Sequence, residues 1–270
     1  MMRALWTAAS GMTTQQTNVD TISNNIANIN TTGYKKEQAQ FKALLYQTLQ
    51  ETATDSEGNI KPVGVQVGSG VRTSAITSIF GQGTTAPTEN TFDFAIEGTG
   101  FFQVQRADGT IGYTRNGNFQ VAIGMNGLTL ADASGNLVLD INGEPIIFDS
   151  NMDISSIVSD KSGNLSYKDE NGKSIALGSQ IGIVQFSNPA GLNKTSDSMY
   201  AVSDASGEPM LEVNNDALTK STLKQGYLES SNVTAVDEMV NLIVAQRAYE
   251  MNSKAITAAD EMLQQANNLR

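Results

Sequence analysis

Apolar residues recur at helical spacings at the two ends of the chain and at strand spacings between them. The N-terminal stripe runs Leu5, Ala8, Met12, Val19, Ile22, Ile26, Ile29 and predicts a helix over residues 3–29. The C-terminal stripe runs Val233, Val236, Val240, Val244, Ala248, Met251, Ala255, Ala258, Met262, Leu269 and predicts a helix over 233–269. Thr234 with Asp237 three residues later fits a capping box, which puts the start of that helix near Thr234. Steps of four from Val236 to Ala248 precede the heptads, a stutter that unwinds a left-handed supercoil towards straight.

At 1.5 Å per residue the two helices span about 40 and about 50 Å. Neither can bury its stripe against itself, so each needs partners. The termini are therefore the expected working surface. The expected assembly interface is Leu5, Met12, Val19, Ile22, Ile26 and Ile29 with Val236, Val240, Val244, Met251, Ala255, Met262 and Leu269. Both helices are rich in Asn and Gln, which hydrogen-bond across interfaces without the desolvation cost of a charge.

Between the ends, Phe41, Leu44, Leu45 and Leu49 predict a second helix over Glu37–Leu49. The polar residues 50–62, with Gly58 and Pro62, read as a loop or extended excursion. From Val63 the period is two: Val63, Val65 and Val67 alternate with Gly64, Gln66 and Gly68, and Val71–Phe80 continues as strand. Turn signals then come densely. Asp108-Gly109, Asn116-Gly117, Asn126-Gly127, Asn142-Gly143 and Asn171-Gly172 suit type I′ turns between short apolar strands. Ser134-Gly135-Asn136 and Ser162-Gly163-Asn164 add two more turns.

The expected fold class is α+β and multidomain. A discontinuous, coiled-coil-like domain of terminal helices (1–36 and 228–270) is joined by a connector (37–80 and 205–227) to an all-β, hairpin-rich outer domain (81–204).

Charge sharpens this division. Of 17 basic and 28 acidic residues, ten and twenty lie between residues 51 and 228, giving an acidic body between nearly neutral ends. An acidic chain without a basic stripe is a poor partner for nucleic acid. No apolar run approaches the length of a membrane span, and no apolar h-region follows Met1–Ser10, so no ordinary cleaved signal is expected. The chain has no Cys and no His. That removes disulfides, thiolate nucleophiles, the usual zinc sites and the commonest general base.

What chemistry remains is weak. Gly98-Thr99-Gly100 lacks the third glycine of a dinucleotide loop, since residue 103 is Gln103. Gly172-Lys173-Ser174 lacks the first glycine of a P-loop, since residue 167 is Tyr167. Asp169-Glu170-Asn171-Gly172 does not keep EF-hand spacing. Neighbouring acids such as Asp93 and Glu97 are expected on a solvated acidic surface, and a carboxylate hydrolase with a helical stalk is kept as the outside alternative. No catalytic residue, metal site or cofactor is assigned.

Specific strings carry a resemblance. Asn24-Asn25-Ile26-Ala27-Asn28-Ile29-Asn30-Thr31-Thr32-Gly33-Tyr34-Lys35 resembles the N-terminal signature of the flagellar rod and hook family. Ile96-Glu97-Gly98-Thr99-Gly100-Phe101-Phe102-Gln103-Val104 and Tyr113-Thr114-Arg115-Asn116-Gly117-Asn118-Phe119 resemble its central motifs. Gly226-Tyr227-Leu228-Glu229-Ser230-Ser231-Asn232-Val233 and Gln246-Arg247-Ala248-Tyr249-Glu250-Met251-Asn252-Ser253-Lys254 resemble its C-terminal region. Leu44-Leu45-Tyr46-Gln47-Thr48-Leu49, Gln66-Val67-Gly68-Ser69-Gly70-Val71-Arg72 and Asn188-Pro189-Ala190-Gly191-Leu192 look like the distal-rod branch; hook and proximal-rod subunits are the alternative within the family.

The resemblance implies a non-enzymatic axial subunit of the bacterial flagellar basal body, in the cell envelope outside the cytoplasm. Its terminal helices would pack with those of many copies into a tube enclosing an export channel, with the β domain outward. The implied partners are further copies of itself, other rod and hook proteins, the type III export apparatus and surrounding ring or bushing proteins.

Overall fold

The computed structural model describes residues 2–50, 64–124, 127–149, 152, 154–168, 174–213, 215 and 218–268. They fall into two compact units. One comprises Met1–Ala27, Glu37–Ser78 and Thr234–Arg270; the other comprises Asn28–Lys36 and Ile79–Val233. The α+β architecture is as expected, with a long helix at each end and strands between.

The first unit contains α1 (Met2–Ala27), β1 (Glu37–Ala43), β2 (Tyr46–Gln50), β3 (Val65–Gly68), β4 (Val71–Ser78) and α2 (Ala235–Asn268). No proline interrupts either helix, and six hydroxyls of α1, from Thr7 to Thr21, donate back to carbonyls three or four residues earlier. Thr234 Oγ1 bonds the Asp237 carboxylate, and Glu238 N–H donates to Thr234 O at 3.1 Å, so the start of α2 is the one expected from the capping pair.

α1 and α2 run antiparallel, with Asn25 beside Glu238 at one end and Gly11 facing Asn252 further along. The face of α2 turned to α1 is not the aliphatic stripe. It follows Glu238, Leu242, Ala245, Asn252, Ile256, Ala259 and Leu263, all buried or half-buried. These positions step by threes, fours or sevens, the spacing of a coiled-coil seam. Small residues won the seam because Ala245, Ala259 and Gly11 let the helix backbones approach closely. A Cβ on Gly11 would stand 2.8 Å from the Asn252 amide nitrogen.

The helix expected over Glu37–Leu49 is instead two strands. β1 pairs antiparallel with β4 from Glu37–Ser78 to Ala43–Val71, with a bulge at Gln40/Phe41, and β2 pairs with β3. Ala39, Phe41 and Ala43 alternate with Gln38, Gln40 and Lys42, so the segment carries both periods. Ladder pairing of β1 with β4 and of β2 with β3 decided between them. The strand expected around Val65 and Val67 is β3. Residues 51–63, which include most of the expected excursion, lie outside the described residues.

In the second unit the strands are β5 (Thr85–Pro87), β6 (Phe94–Glu97), β7 (Phe101–Gln105), β8 (Ile111–Thr114), β9 (Phe119–Gly124), β10 (Gly127–Asp132), β11 (Leu137–Val138) and β12 (Ile147–Phe148). There follow β13 (Ile157–Ser159), β14 (Asn164–Lys168), β15 (Ser174–Gln180), β16 (Ile183–Gln185), β17 (Asn193–Lys194), β18 (Met199–Ala201), β19 (Met210–Leu211), β20 (Thr222–Gln225) and β21 (Tyr227–Glu229). The main sheet runs β12-β10-β11-β7-β8-β18-β17, with β9 on β10 and β16 joining β7 to β19. Strand β7 is its centre and is buried on both faces, which explains its unbroken apolar start. Phe102 and Val104 enter one aromatic and aliphatic cluster with Phe119 and Leu130; Phe101 enters another with Tyr113, Phe186 and Tyr200. The rings meet edge to face, as at Phe102–Phe119 (5.1 Å) and Tyr113–Phe186 (4.9 Å).

The hairpin turns are real but of another type. At Asp108-Gly109 only the glycine has positive φ, whereas type I′ needs two such residues. Gly109 N–H donates to Arg106 O and Arg106 N–H to Thr110 O, both at 2.9 Å. The same pair of bonds closes residues 132–136, 140–144 and 160–164. This is the three-residue loop of a type I turn followed by a G1 bulge. Gly117 has no positive φ and closes no hairpin. It is glycine because Phe94 N–H bonds its carbonyl at 2.9 Å and a Cβ would stand 1.8 Å from Phe94 O. Asn126 and Asn171-Gly172 lie outside the described residues.

Candidate assembly surface

The stripe read from the sequence on α2 faces solvent. Val236, Val244 and Met251 are 73%, 62% and 65% exposed, and Val240, Ala255 and Met262 are also exposed. On α1, Ile22 is buried and Leu5, Met12, Val19 and Ile26 are half-buried; Ile29, in the other unit, is half-buried, and Leu269 lies outside the described residues. The two helices together thus use one seam internally and leave a second, more apolar face uncovered. Gln16, Val19, Gln246, Tyr249 and Glu250 border a groove of about 390 Å³ along the pair, so the amides flank it as well as the seam.

The helix pair is pinned at one end by Asn25, which is 1% exposed. Its side chain accepts Glu37 N–H and donates to Glu37 O, both at 2.8 Å, and donates to Glu238 Oε2 at 3.1 Å. One amide therefore joins α1, β1 and α2. Only an amide offers both a donor and an acceptor at this length, which is why a charged or hydroxyl residue does not serve.

A second node holds the other unit. Glu229 lies at the end of β21, where it is buried with Lys35 and Arg115. Lys35 Nζ is 2.7 Å from Glu229 Oε1, and Arg115 Nη1 is 3.3 Å from Glu229 Oε2. Gly83 N–H donates to the same carboxylate at 2.8 Å, and Gly33 N–H to the Glu229 carbonyl at 2.8 Å. Lys35 also donates to Gly81 O, and Arg115 to Gly98 O while standing 5.3 Å over the Phe101 ring. Burial pulls the Lys35 ammonium below the ordinary lysine range; the Glu229 charge opposes this and the Arg115 charge adds to it. Nearby, Asn232 accepts Lys36 N–H and donates to Ile79 O and Gly81 O, tying three passages of chain together. Sequence reasoning did not single out these charges. The signal was there: each lies inside one of the quoted motif strings, as a lone charge among apolar and turn residues.

The weak chemical motifs resolve as packing. A Cβ on Gly98 would stand 2.3 Å from Ser221 Oγ, and one on Gly100 would stand 2.2 Å from Ile183, so these glycines permit close approach. Glu212 beside them is held by Ser221 N–H, Ser221 Oγ and Gln185 Nε2. Asp93 accepts from Asn90 and Asn118, while Glu97 pairs with Lys224, so that acid pair is divided between local structural duties. Gly172 and Lys173 lie outside the described residues. Among the described residues no group of three acidic side chains converges to hold a metal, and no helix is long and apolar enough to cross a membrane.

Three family models match the chain along its length. They are flagella basal body rod protein (residues 5–35), flagellar hook protein FlgE/F/G D1 domain (95–167) and flagellar basal body rod FlgEFG protein C-terminal (224–269). The flagellar basal-body rod protein FlgG of Borreliella burgdorferi is 44% identical over 100% of this chain and 99% of its own. The chain belongs to the flagellar basal-body rod family. FlgG of Agrobacterium fabrum is 44% identical over 97% of both chains, and FlgG of Bacillus subtilis 40% identical over the whole of both. The distal-rod likeness drawn from the motif strings therefore holds, and this family member is a structural component of the flagellar basal body. The Asn25 junction and the Glu229 node acquire meaning in that setting. The rod-family motif strings are the segments that supply Asn25, Lys35, Arg115, Glu229 and Asn232.

Proposed function

We propose that the chain polymerises helically into the distal rod, a stiff tube that transmits torque to the hook, and that it does so without any catalytic activity. The terminal helices, residues 1–36 and 228–270, form the inner wall around an export channel, and the β domain faces outward. The residues Leu5, Met12, Val19, Ile22, Ile26 and Ile29 with Val236, Val240, Val244, Met251, Ala255, Met262 and Leu269 make the contacts within and between copies. Its partners are further copies of itself, neighbouring rod and hook subunits, the type III export apparatus and ring or bushing proteins.

One observation carries this reading. The helix pair buries a seam of small residues internally and leaves its aliphatic stripe, from Val236 to Met251, in water. A monomer gains nothing from such a stripe, and contiguous exposed apolar surface marks an interaction site. The FlgG relatives support the distal position. The test is the double variant Val240→Ser/Val244→Ser. The protomer is expected to keep its helix content and melting temperature while straight tubes no longer form under the electron microscope. Tubes of normal yield from this variant would overturn the reading.

A further inference from the structure

The first unit carries two exposed apolar patches. One is the α2 stripe centred on Val240, Ile243 and Val244. The other lies near the start of α1, where Trp6 is 73% exposed and Met2 is nearly as open. Trp6 and Arg3 border a groove of about 250 Å³ whose far side is Gln47 and Val67 of the β2–β3 hairpin.

Their placement follows from the antiparallel register. Asn25 meets Glu238 and Gly11 meets Asn252, so Trp6 lies level with the part of α2 beyond Asn252. That is about fifteen residues, or about 22 Å, along the axis from the middle of the stripe. The patches also differ in charge. Arg3 stands one turn from Trp6 and is the sole basic residue of α1. Exposed Asp237 stands one turn from Val240, and Arg247 on the stripe is already paired with Glu250 at 3.1 Å.

Two patches at different heights with opposite charge cannot satisfy each other within one copy. Trp6 and Arg3 of one copy can instead meet the stripe and Asp237 of another: made reciprocally about a two-fold axis the contact stops at a pair, whereas made head to tail it generates an open helical array. We propose that Trp6 of one copy seats on the Val240–Val244 stripe of the next, with Arg3 against Asp237 at the edge. This contact rests on the assembly reading above and names the surfaces that meet. Trp and Arg are the residues most often dominant in such contacts.

The chain has no cysteine, so engineered thiols report without background. Thr7→Cys and Met239→Cys are both exposed positions next to, but outside, the named contact. Each single variant, and the double variant, is assembled and treated with a short bis-maleimide. The expected result is a covalent ladder from the double variant, covalent dimers from a mixture of the two single variants, and none from either alone. Trp6→Ala is expected to raise the concentration needed for tubes about tenfold or more, with Trp6→Phe close to the parent and circular dichroism unchanged in both. Tubes without a ladder, dimers from one single variant alone, or no effect of Trp6→Ala overturn this contact and leave the rod reading standing. Failure of the parent chain to form tubes at all overturns both.

Discussion

Glu229 and Lys35, separated by 194 positions in the sequence, meet at 2.7 Å with both side chains 1% exposed. Arg115 shares the same carboxylate, so two buried cations depend on one anion. Removing the anion is therefore expected to cost more than removing either cation. Glu229→Gln leaves both cations uncompensated and should lose about 3–5 kcal/mol. Lys35→Met leaves a one-to-one Arg115–Glu229 pair and should lose clearly less. Urea unfolding followed by circular dichroism ranks the two, and equal losses would show that the charge imbalance does not matter.

Lys35 also sets a pH dependence. Its pKa is lowered in the folded state, chiefly by burial. Between that lowered value and the ordinary lysine value the unfolded chain binds more protons, so this group's contribution makes stability rise with pH across that interval. Comparing the parent with Lys35→Met over alkaline pH isolates it: the advantage of the variant, or its deficit, should shift in the parent's favour as pH rises. A constant difference would sink the idea.

Asp132 works in the opposite sense. Burial raises its pKa, with hydrogen bonds from Ala133 and Asn136 opposing and the Asp197 charge reinforcing. Its folded form is thus favoured below the unfolded carboxylate range, and that benefit is lost as pH rises through the raised value. Asp132→Asn keeps the acceptor for Ala133 N–H and should raise the melting temperature at pH 7 relative to the parent. The gain should shrink towards pH 3, which thermal melts at the two pH values check.

Asn25→Ala is expected to cost about 2–4 kcal/mol, because it removes the side-chain partner of the part-buried Glu37 N–H and carbonyl and a donor to Glu238. Hydrogen exchange is the sharper readout. The Glu37 amide should lose protection ahead of the amides in the middle of α1.

Two glycines with similar backbone should respond differently to alanine. Gly109 has φ of 80°, and nothing lies within 4 Å of the place a methyl group would take, so Gly109→Ala should cost only about 1 kcal/mol of backbone strain. Gly33 has φ of 69°, and its Cβ would stand 2.6 Å from Asn116 N and 2.7 Å from the Arg115 carbonyl carbon. Gly33→Ala should therefore be the far more damaging change in a thermal melt.

The sequence alone determined what depends on local spacing. The two long helices, the capping pair at Thr234 and the hairpin-rich middle were legible because helix and strand periods differ and turn residues are few. The motif strings were legible too, and they carry the family. The segment from Glu37 to Leu49 was not, since it satisfies both periods and only pairing with β4 and β3 selects the two strands. The turn type was not, since Asp-Gly and Asn-Gly suit several turns and the flanking ladder register chooses the G1 bulge. Most tellingly, the strongest apolar stripe on α2 is not the one that packs on α1. Which face of a helix is buried depends on how closely backbones can approach, and Ala245, Ala259 and Gly11 decide that in three dimensions. The same holds for Lys35, Arg115 and Glu229: a buried charge is recognisable only once its distant partners are beside it.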